Sequence, residues 1–259
     1  MKAKLYVILG SHACRTGMLL LEHKAIPYEL VELPTGLQGP MLRLRGFSGN
    51  RATFRLVDGR TPRMLAPADR MGTVPSLVLD GQRVKTNREI SRFLDRLQPD
   101  PPLFPADPVE RRAVEEAERW GDEVFQMTAR RLALTGALHG VDWMQNGGED
   151  GRLGTLLWRS RAMRRIGLKV VARAFNAADS EAEARLLESI AEQLDKIDAW
   201  IEGGVLNGPA LNAADYMIVT SLALLCYRPD MRAEIGRRPM LGLVDRLLPD
   251  PAAAAAVAA

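Results

Sequence analysis

Three residues near the amino terminus, within ILGSHACRTGMLLL, are of types that can do chemistry together. Ser11, His12 and Cys14 follow a short apolar run and precede a helical pattern. The amino end of a helix carries unpaired N–H groups and a partial positive charge, so it favours a thiolate. A serine hydroxyl there can donate to a bound thiolate and lower its pKa, and a cysteine there could be a nucleophile. In the alternative, Ser11 only caps the helix and Cys14 only fills the core.

Two later stretches could contribute backbone contacts to the same chemistry. Pro75 opens a predicted strand, where proline removes a ladder donor, and one solution is a cis Val74–Pro75 bond. A cis turn can present the Val74 backbone to a bound peptide, whereas a trans proline would simply mark an edge strand. Thr86 and Asn87 precede an amphipathic helix, which we expect Asn87 to cap and which could hold a ligand carboxylate.

The elements that must position these residues are an α/β unit followed by helices. KLYVIL, a helix and YELVEL predict a parallel strand pair, and two apolar runs around Asp80-Gly81 predict a hairpin. Five prolines between residues 98 and 108 predict a linker, and the patterns beyond it are helical. The sequence therefore predicts an α/β domain at 1–98 and a Pro-rich linker at 99–108. An all-helical domain at 109–250 and a disordered tail at 251–259 follow.

Composition excludes several classes of protein. The chain has 259 residues and a net charge of +3, too mild to predict nucleic-acid binding. Its two cysteines cannot form a disulfide framework, and no residues have metal-ligand spacing. No run approaches the roughly 20 apolar residues of a membrane-spanning helix. We therefore expect a cytoplasmic protein without a metal.

A basic amphipathic stretch at residues 156–175, LLWRSRAMRRIGLKVVARAF, has two interpretations. Such a helix can lie on an anionic membrane surface. Inside a helical domain, however, its apolar residues already have a core to join, and its basic face is simply solvated. The second interpretation is favoured, so we expect no membrane partner.

Taken in order, these signals resemble the glutathione transferase superfamily. The family opens with a Ser-x-x-Cys motif, a helix and "IPYE", and a similar pattern is present here in SHACRTGMLLLEHKAIPYELVEL. The family's Val-Pro strand, hairpin and ligand-binding helix start are similar to GTVPSLVLDGQRVKTNREISRFLDRL. LNAADYMI resembles the capping motif of the family's buried helix. The resemblance implies a thioredoxin-like α/β N-terminal domain, an all-α C-terminal domain and a small thiol, glutathione or another, as co-substrate.

The resemblance also implies roles for particular residues. Serine-type members place the thiol-activating hydroxyl where Ser11 stands. Cys14 matches the second cysteine of redox relatives, which alone does not suggest a dithiol mechanism. Ser11 and Cys14 are the candidate catalytic residues. Tyrosine-type members use a tyrosine near Tyr6, which ranks below Ser11 because the matching position is Val7. The implied thiol-binding residues are His12, Val74, Pro75, Thr86 and Asn87.

The implied activity is conjugation of the thiol to a hydrophobic electrophile, in a pocket lined by Trp120, Val124 and Met127. Two departures from the family favour a rival, a non-catalytic binding or scaffolding protein on the same fold. Thr86 stands where an acidic residue usually meets the ligand ammonium, and segment 34–73 is longer than usual. Dimers are common in the family, so a homodimer is a further expectation.

Overall fold

The computed structural model describes residues 1–8, 10–34, 37–47, 74–139 and 180–249. Its first part alternates strands and helices. Their bounds are β1 Ala3–Val7, α1 His12–His23, β2 Tyr28–Glu32, α2 Gln38–Leu44, β3 Ser76–Leu79, β4 Gln82–Lys85 and α3 Asn87–Leu97.

The strands form one mixed sheet in the order β2-β1-β3-β4. β1 pairs parallel with β2 and antiparallel with β3, and β3 pairs antiparallel with β4, so the predicted parallel pair and hairpin are confirmed. Asp80 and Gly81 both have positive φ, at 46° and 85°, as a tight two-residue hairpin turn requires. The sheet therefore places the end of β1 and the start of β3 side by side, at the edge where α1 begins.

Gly17 allows α1 to lie close to that edge. A Cβ at this position would lie 3.1 Å from Cβ and Cγ of Pro75 and 3.4 Å from Oδ1 of Asn87. A side chain at position 17 would therefore push α1 away from β3 and α3. The glycine weakens the helix as an isolated segment, but it brings the first two turns of α1 against the starts of β3 and α3.

Beyond the proline-rich stretch, every described element is helical. Their bounds are α4 Pro108–Trp120, a π-helical segment Gly121–Phe125, α5 Gln126–His139, α6 Ser180–Glu202, α7 Ala213–Leu225, α8 Pro229–Ile235 and α9 Met240–Leu247. All 13 residues of α7 are buried, as its apolar sequence predicts. Asn212 and Asp215 form a capping box at its start. The predicted fold class, an α/β unit followed by helices, is confirmed.

Polar contacts fasten the α/β part to the helices. The Thr16 and Thr220 hydroxyls are 2.8 Å apart, which joins α1 to α7. The buried Glu118 carboxylate of α4 accepts from Ser91 Oγ and Arg92 Nη1 of α3, each at 2.6 Å. These bonds join α1 to α7 and α3 to α4.

Two sequence interpretations fall outside the described residues: the basic stretch 156–175 and the tail 251–259. The predicted domain limits also stay predictions. Among the described residues, no helix is both long and apolar enough to cross a membrane, and no cluster of potential metal ligands is present.

Candidate functional site

Ser11 caps the first turn of α1. Its backbone is extended, with φ −90° and ψ 113°, and its Oγ accepts the Cys14 N–H at 3.4 Å. The side chain is partly exposed, unlike its neighbours His12, Ala13 and Cys14. A hydroxyl can accept and donate at once, so the Ser11 oxygen can serve the cap while its proton faces a sulfur, here that of the Cys14 side chain, with which Ser11 also forms a hydrogen bond. Capping and thiol activation are therefore compatible at this residue.

Three of the predicted thiol-binding elements meet at this end of α1. The Val74–Pro75 bond is cis, which is one of the two alternatives that the sequence left open, and Pro75 lies against Gly17. Asn87 Nδ2 donates to the Ala13 carbonyl at 2.8 Å, which joins the start of α3 to the first turn of α1. The structure thus brings residues far apart in sequence to one corner.

The start of α3 differs from its predicted form. Thr86, not Asn87, is the cap: its Oγ1 accepts the Glu89 N–H at 3.3 Å, and Asn87 is the first helical residue. Asn87 is buried and its Nδ2 donates to the Ala13 carbonyl, while its Oδ1 has no hydrogen-bonding partner among the described residues. A ligand carboxylate at this point would depend on backbone N–H groups rather than on the Asn87 amide.

Thr86 is held in an unusual backbone conformation. Its φ of 61° and ψ of 147° lie in a region that glycine occupies easily and a β-branched residue does not. Conformations of this kind cost about 1–3 kcal/mol each and cluster at ligand-binding sites. The strain marks the start of α3 as a constrained position within the corner.

Comparison with known proteins identifies this arrangement. Residues 5–102 match the family model for the glutathione S-transferase N-terminal domain. This part of the chain is therefore similar in sequence to the N-terminal domain of glutathione S-transferases. No curated protein sequence matches the chain.

Solved structures extend the likeness to the helical part. A glutathione S-transferase from Methylobacterium radiotolerans, in complex with glutathione sulfonate, is similar over 97% of this chain and 92% of its own, at 20% identity and a TM-score of 0.55. Beta-etherase LigF from Sphingobium is similar over 97% of both chains, at 16% identity and a TM-score of 0.60. A glutathione transferase from Populus trichocarpa covers 96% and 95% of the two chains, at 14% identity and a TM-score of 0.60. The whole chain therefore has the glutathione transferase fold, and the predicted resemblance to the superfamily is confirmed.

In this glutathione transferase fold, Cys14 is part of the core. Its side chain is 1% exposed, and burial raises the pKa of its thiol to about 11, although a hydrogen bond with Ser11 opposes this. A thiol with that pKa is almost entirely protonated at neutral pH and is a poor nucleophile. Cys14 is thus better described as a core residue than as the catalytic residue that the sequence suggested.

The three residues predicted to line the electrophile pocket differ in how far they are buried. Met127 is 2% exposed and belongs to the core. Trp120 is partly exposed, but its ring stacks on Phe125 at 5.4 Å and meets Trp200 edge-on at 5.2 Å. Val124 is also partly exposed. Core packing accounts for Met127, and an electrophile contact at Trp120 or Val124 stays a prediction.

Two residues of α5 that the sequence interpretation missed lie at the same corner. The Gln126 backbone forms a hydrogen bond with the His12 side chain, and the charge of Arg130 acts on both His12 and Cys14. TARR in a predicted helix looks like an ordinary solvated stretch, so nothing local connects it with a motif over a hundred residues earlier. Only the fold, which brings the Gln126 backbone to the His12 side chain, reveals the connection.

His12 is expected to make the fold sensitive to acid. Burial, reinforced by the charge of Arg130, lowers the pKa of His12 to about 3. In the unfolded chain the His12 ring is protonated below about pH 6.5, whereas in the folded chain it stays neutral down to about pH 3. The free energy of unfolding therefore decreases as the pH falls from about 6.5 towards 3. Between pH 7 and 5 we expect wild type to lose about 2 kcal/mol more than His12→Gln in urea unfolding. Parallel pH profiles for the two proteins would contradict this.

Proposed function

We propose that this chain binds a low-molecular-weight thiol, glutathione in the first instance, and conjugates it to a hydrophobic electrophile. The observation that carries the proposal is the partly exposed Ser11 hydroxyl at the amino end of α1, beside the cis Val74–Pro75 bond and the strained Thr86. The ligand thiolate would accept from Ser11 Oγ and lie in the positive field of the helix end. The glutathione-bound relatives support the choice of thiol.

The corner offers the parts such a ligand needs. The Val74 backbone would pair with the central part of a small peptide, and the start of α3 would hold its carboxylate. His12, Pro75 and Asn87 would act mainly by fixing these elements, because all three are buried. A homodimer also belongs to this proposal, and size-exclusion chromatography with light scattering would test it.

The chain also supports a second candidate, a binding protein on the same fold that performs no conjugation. Thr86 provides no carboxylate for a ligand ammonium, and the Asn87 amide is already used by Ala13. Either feature weakens recognition of the γ-glutamyl group. The chain could then hold a different thiol without activating it.

Titration calorimetry with glutathione tests the first candidate directly. We expect a saturable one-to-one binding isotherm with wild type, whereas S-methylglutathione should bind more weakly because it cannot form a thiolate. Conjugation of glutathione to chlorodinitrobenzene then separates the candidates, since only an enzyme gives a rate above that of buffer. If wild-type protein binds neither glutathione nor S-methylglutathione, the glutathione proposal is excluded. Binding of glutathione without conjugation would favour the second candidate, the non-catalytic binding protein.

A further inference from the structure

A charged groove lies between α3 and α4. Six side chains line it, and none of them belongs to the proposed thiol site: Arg88, Arg92, Arg112, Glu115, Glu116 and Arg119. Its volume is about 340 Å³, which is at the lower end of the range for small-molecule sites. The groove is therefore large enough for a small ligand, and its lining is almost entirely ionic.

The two helices that form the groove are antiparallel. Arg88 of α3 pairs with Glu123 at 3.0 Å, and Arg92, one turn later, pairs with Glu118 of α4 at 2.6 Å. Position 119 of α4 falls between these two levels, so Arg119 lies beside Arg88 and Arg92. Arg112 precedes Arg119 by seven residues and lies about 10 Å further along the same face of α4.

Positive charge exceeds negative charge in the groove. Glu123 and Glu118 balance Arg88 and Arg92, and Glu115 accepts from Arg111 at 3.1 Å. Arg112 and Arg119 are exposed, and neither has an ion-pair partner among the described residues. Glu116 is the remaining carboxylate of the lining, so two unpaired guanidinium groups face one carboxylate.

Arg92 is held in place before any ligand arrives. Its Nη1 donates to the buried Glu118 carboxylate at 2.6 Å and to the Arg88 carbonyl at 3.0 Å. Its guanidinium lies 5.0 Å from the centre of the Phe104 ring. All the hydrogen bonds that Arg92 forms within the described residues use Nη1, so Nε and Nη2 can still donate. A guanidinium fixed in this way loses little conformational entropy when it binds an anion.

The arrangement of the arginines indicates which anion fits. A guanidinium presents its donors in a planar fork that matches two oxygens of a phosphate or a carboxylate. Several guanidinium groups on two facing helices suit a group whose oxygens point in several directions, as in a tetrahedral phosphate but not in a planar carboxylate. A phosphomonoester also carries close to two negative charges above neutral pH, which offsets the unpaired charges of Arg112 and Arg119.

We propose that the groove between α3 and α4 binds a small phosphomonoester. The phosphate lies at the end of the groove where Arg92 and Arg119 meet, and Arg112 contacts the remainder of the ligand further along α4. Glu116, one turn from each of these two α4 arginines, opposes binding and restricts the site to strongly charged anions. The inference does not depend on the thiol-conjugating activity.

Calorimetry with phenyl phosphate at pH 8 and low salt tests the proposal. We expect saturable one-to-one binding with a Kd of about 0.1–1 mM, and about tenfold weaker binding of phenyl sulfate, which carries a single charge. Arg119→Gln should weaken phenyl phosphate binding about tenfold and Arg112→Gln about threefold, because Arg119 contacts the phosphate itself. Glu116→Gln should strengthen it about twofold or more, since it removes the opposing charge.

The matched control is Arg237→Gln, which removes the same charge from a side chain that is 73% exposed just beyond α8. It should leave the Kd for phenyl phosphate within about 1.5-fold. Glutathione binding should be the same in wild type and Arg119→Gln, so the two proposals can fail separately. The substituted side chains are exposed, and thermal unfolding should show each variant folded.

Three results would overturn the phosphomonoester site. The first is the absence of saturable phenyl phosphate binding to wild type. The second is an equal effect of Arg119→Gln and Arg237→Gln, which would mean that only the net charge of the protein matters. The third is a dimeric wild type beside a monomeric Arg119→Gln in analytical ultracentrifugation, which would make the groove a contact between two copies of the chain.

Discussion

Lys24→Met is expected to lower the free energy of unfolding by about 3–5 kcal/mol. The Lys24 side chain is completely buried, and its Nζ donates to Asp95 Oδ1 at 3.1 Å, to the Gln98 carbonyl at 2.6 Å and to the Pro101 carbonyl. Methionine fills a similar volume but leaves these three acceptors without their donor. Removing one partner from a buried charged network costs far more than the pair itself contributes.

The effect should spread beyond α1, because Lys24 connects three parts of the chain. Asp95 also accepts the Leu103 N–H at 2.7 Å, and the Leu103 carbonyl accepts the Ala213 N–H at the start of α7 at 2.9 Å. Loss of the ammonium therefore loosens the end of α1, the end of α3 and the linker that reaches α7. Urea unfolding followed by far-ultraviolet circular dichroism measures the change.

Lys4→Met is the matched control for this prediction. Lys4 pairs with Glu29 at 2.9 Å, but the two side chains are 46% and 60% exposed, so water screens their attraction. The control should therefore unfold at nearly the same urea concentration as wild type. A Lys24→Met protein as stable as Lys4→Met would mean that the buried network contributes little.

Ser11→Ala is expected to lower kcat/KM for glutathione conjugation about 100-fold, or about 2.7 kcal/mol of transition-state stabilisation. The alanine variant retains the N–H groups of the helix end but loses the hydroxyl that would donate to the thiolate. It also loses the cap on the Cys14 N–H, which should cost about 1 kcal/mol of stability. Ser11→Thr keeps a hydroxyl and should keep most of the rate.

A second cap separates the two consequences of Ser11→Ala. Asp107 caps α4 by accepting from the Val109 and Glu110 N–H groups at 2.8 and 3.0 Å, and it is exposed. Asp107→Ala should therefore cost a similar amount of stability and leave the conjugation rate unchanged. The Ser11 hydroxyl has no special role if Ser11→Ala keeps the conjugation rate within about threefold of wild type. The same conclusion follows if Asp107→Ala lowers that rate as much as Ser11→Ala does.

Local signals in the sequence were sufficient for much of the architecture. Asp80-Gly81 specifies a tight turn whatever surrounds it, and Asp107 with Pro108 starts a helix by satisfying its own first amides. Ser11 belongs to this class, because its cap is formed with a residue three positions away. Each of these features depends on neighbours in sequence, so sequence alone reveals it.

Features formed between distant residues were not predictable in this way. Lys24 looks like a surface lysine at a helix end, and its burial depends on acceptors over 70 residues later. In the sequence Asn87 looks like a helix cap, but in the structure its Nδ2 donates a hydrogen bond to the Ala13 carbonyl. Helix α2 was missed because Leu37, at its start, provides no side-chain cap and Pro40 lies inside it. Gln126 meets the His12 side chain only through the fold, because the two residues are more than 100 positions apart in sequence.

The central claim is that Ser11 and the amino end of α1 ionise a bound thiol. Titration of the ultraviolet absorbance of the thiolate, with glutathione bound to saturation, measures the pKa of the ligand sulfur directly. The account predicts a pKa well below the value of about 8.5 for a free cysteine thiol, and its return towards that value in Ser11→Ala. A bound thiol that titrates like free glutathione, or one whose lowered pKa survives Ser11→Ala, would contradict the claim.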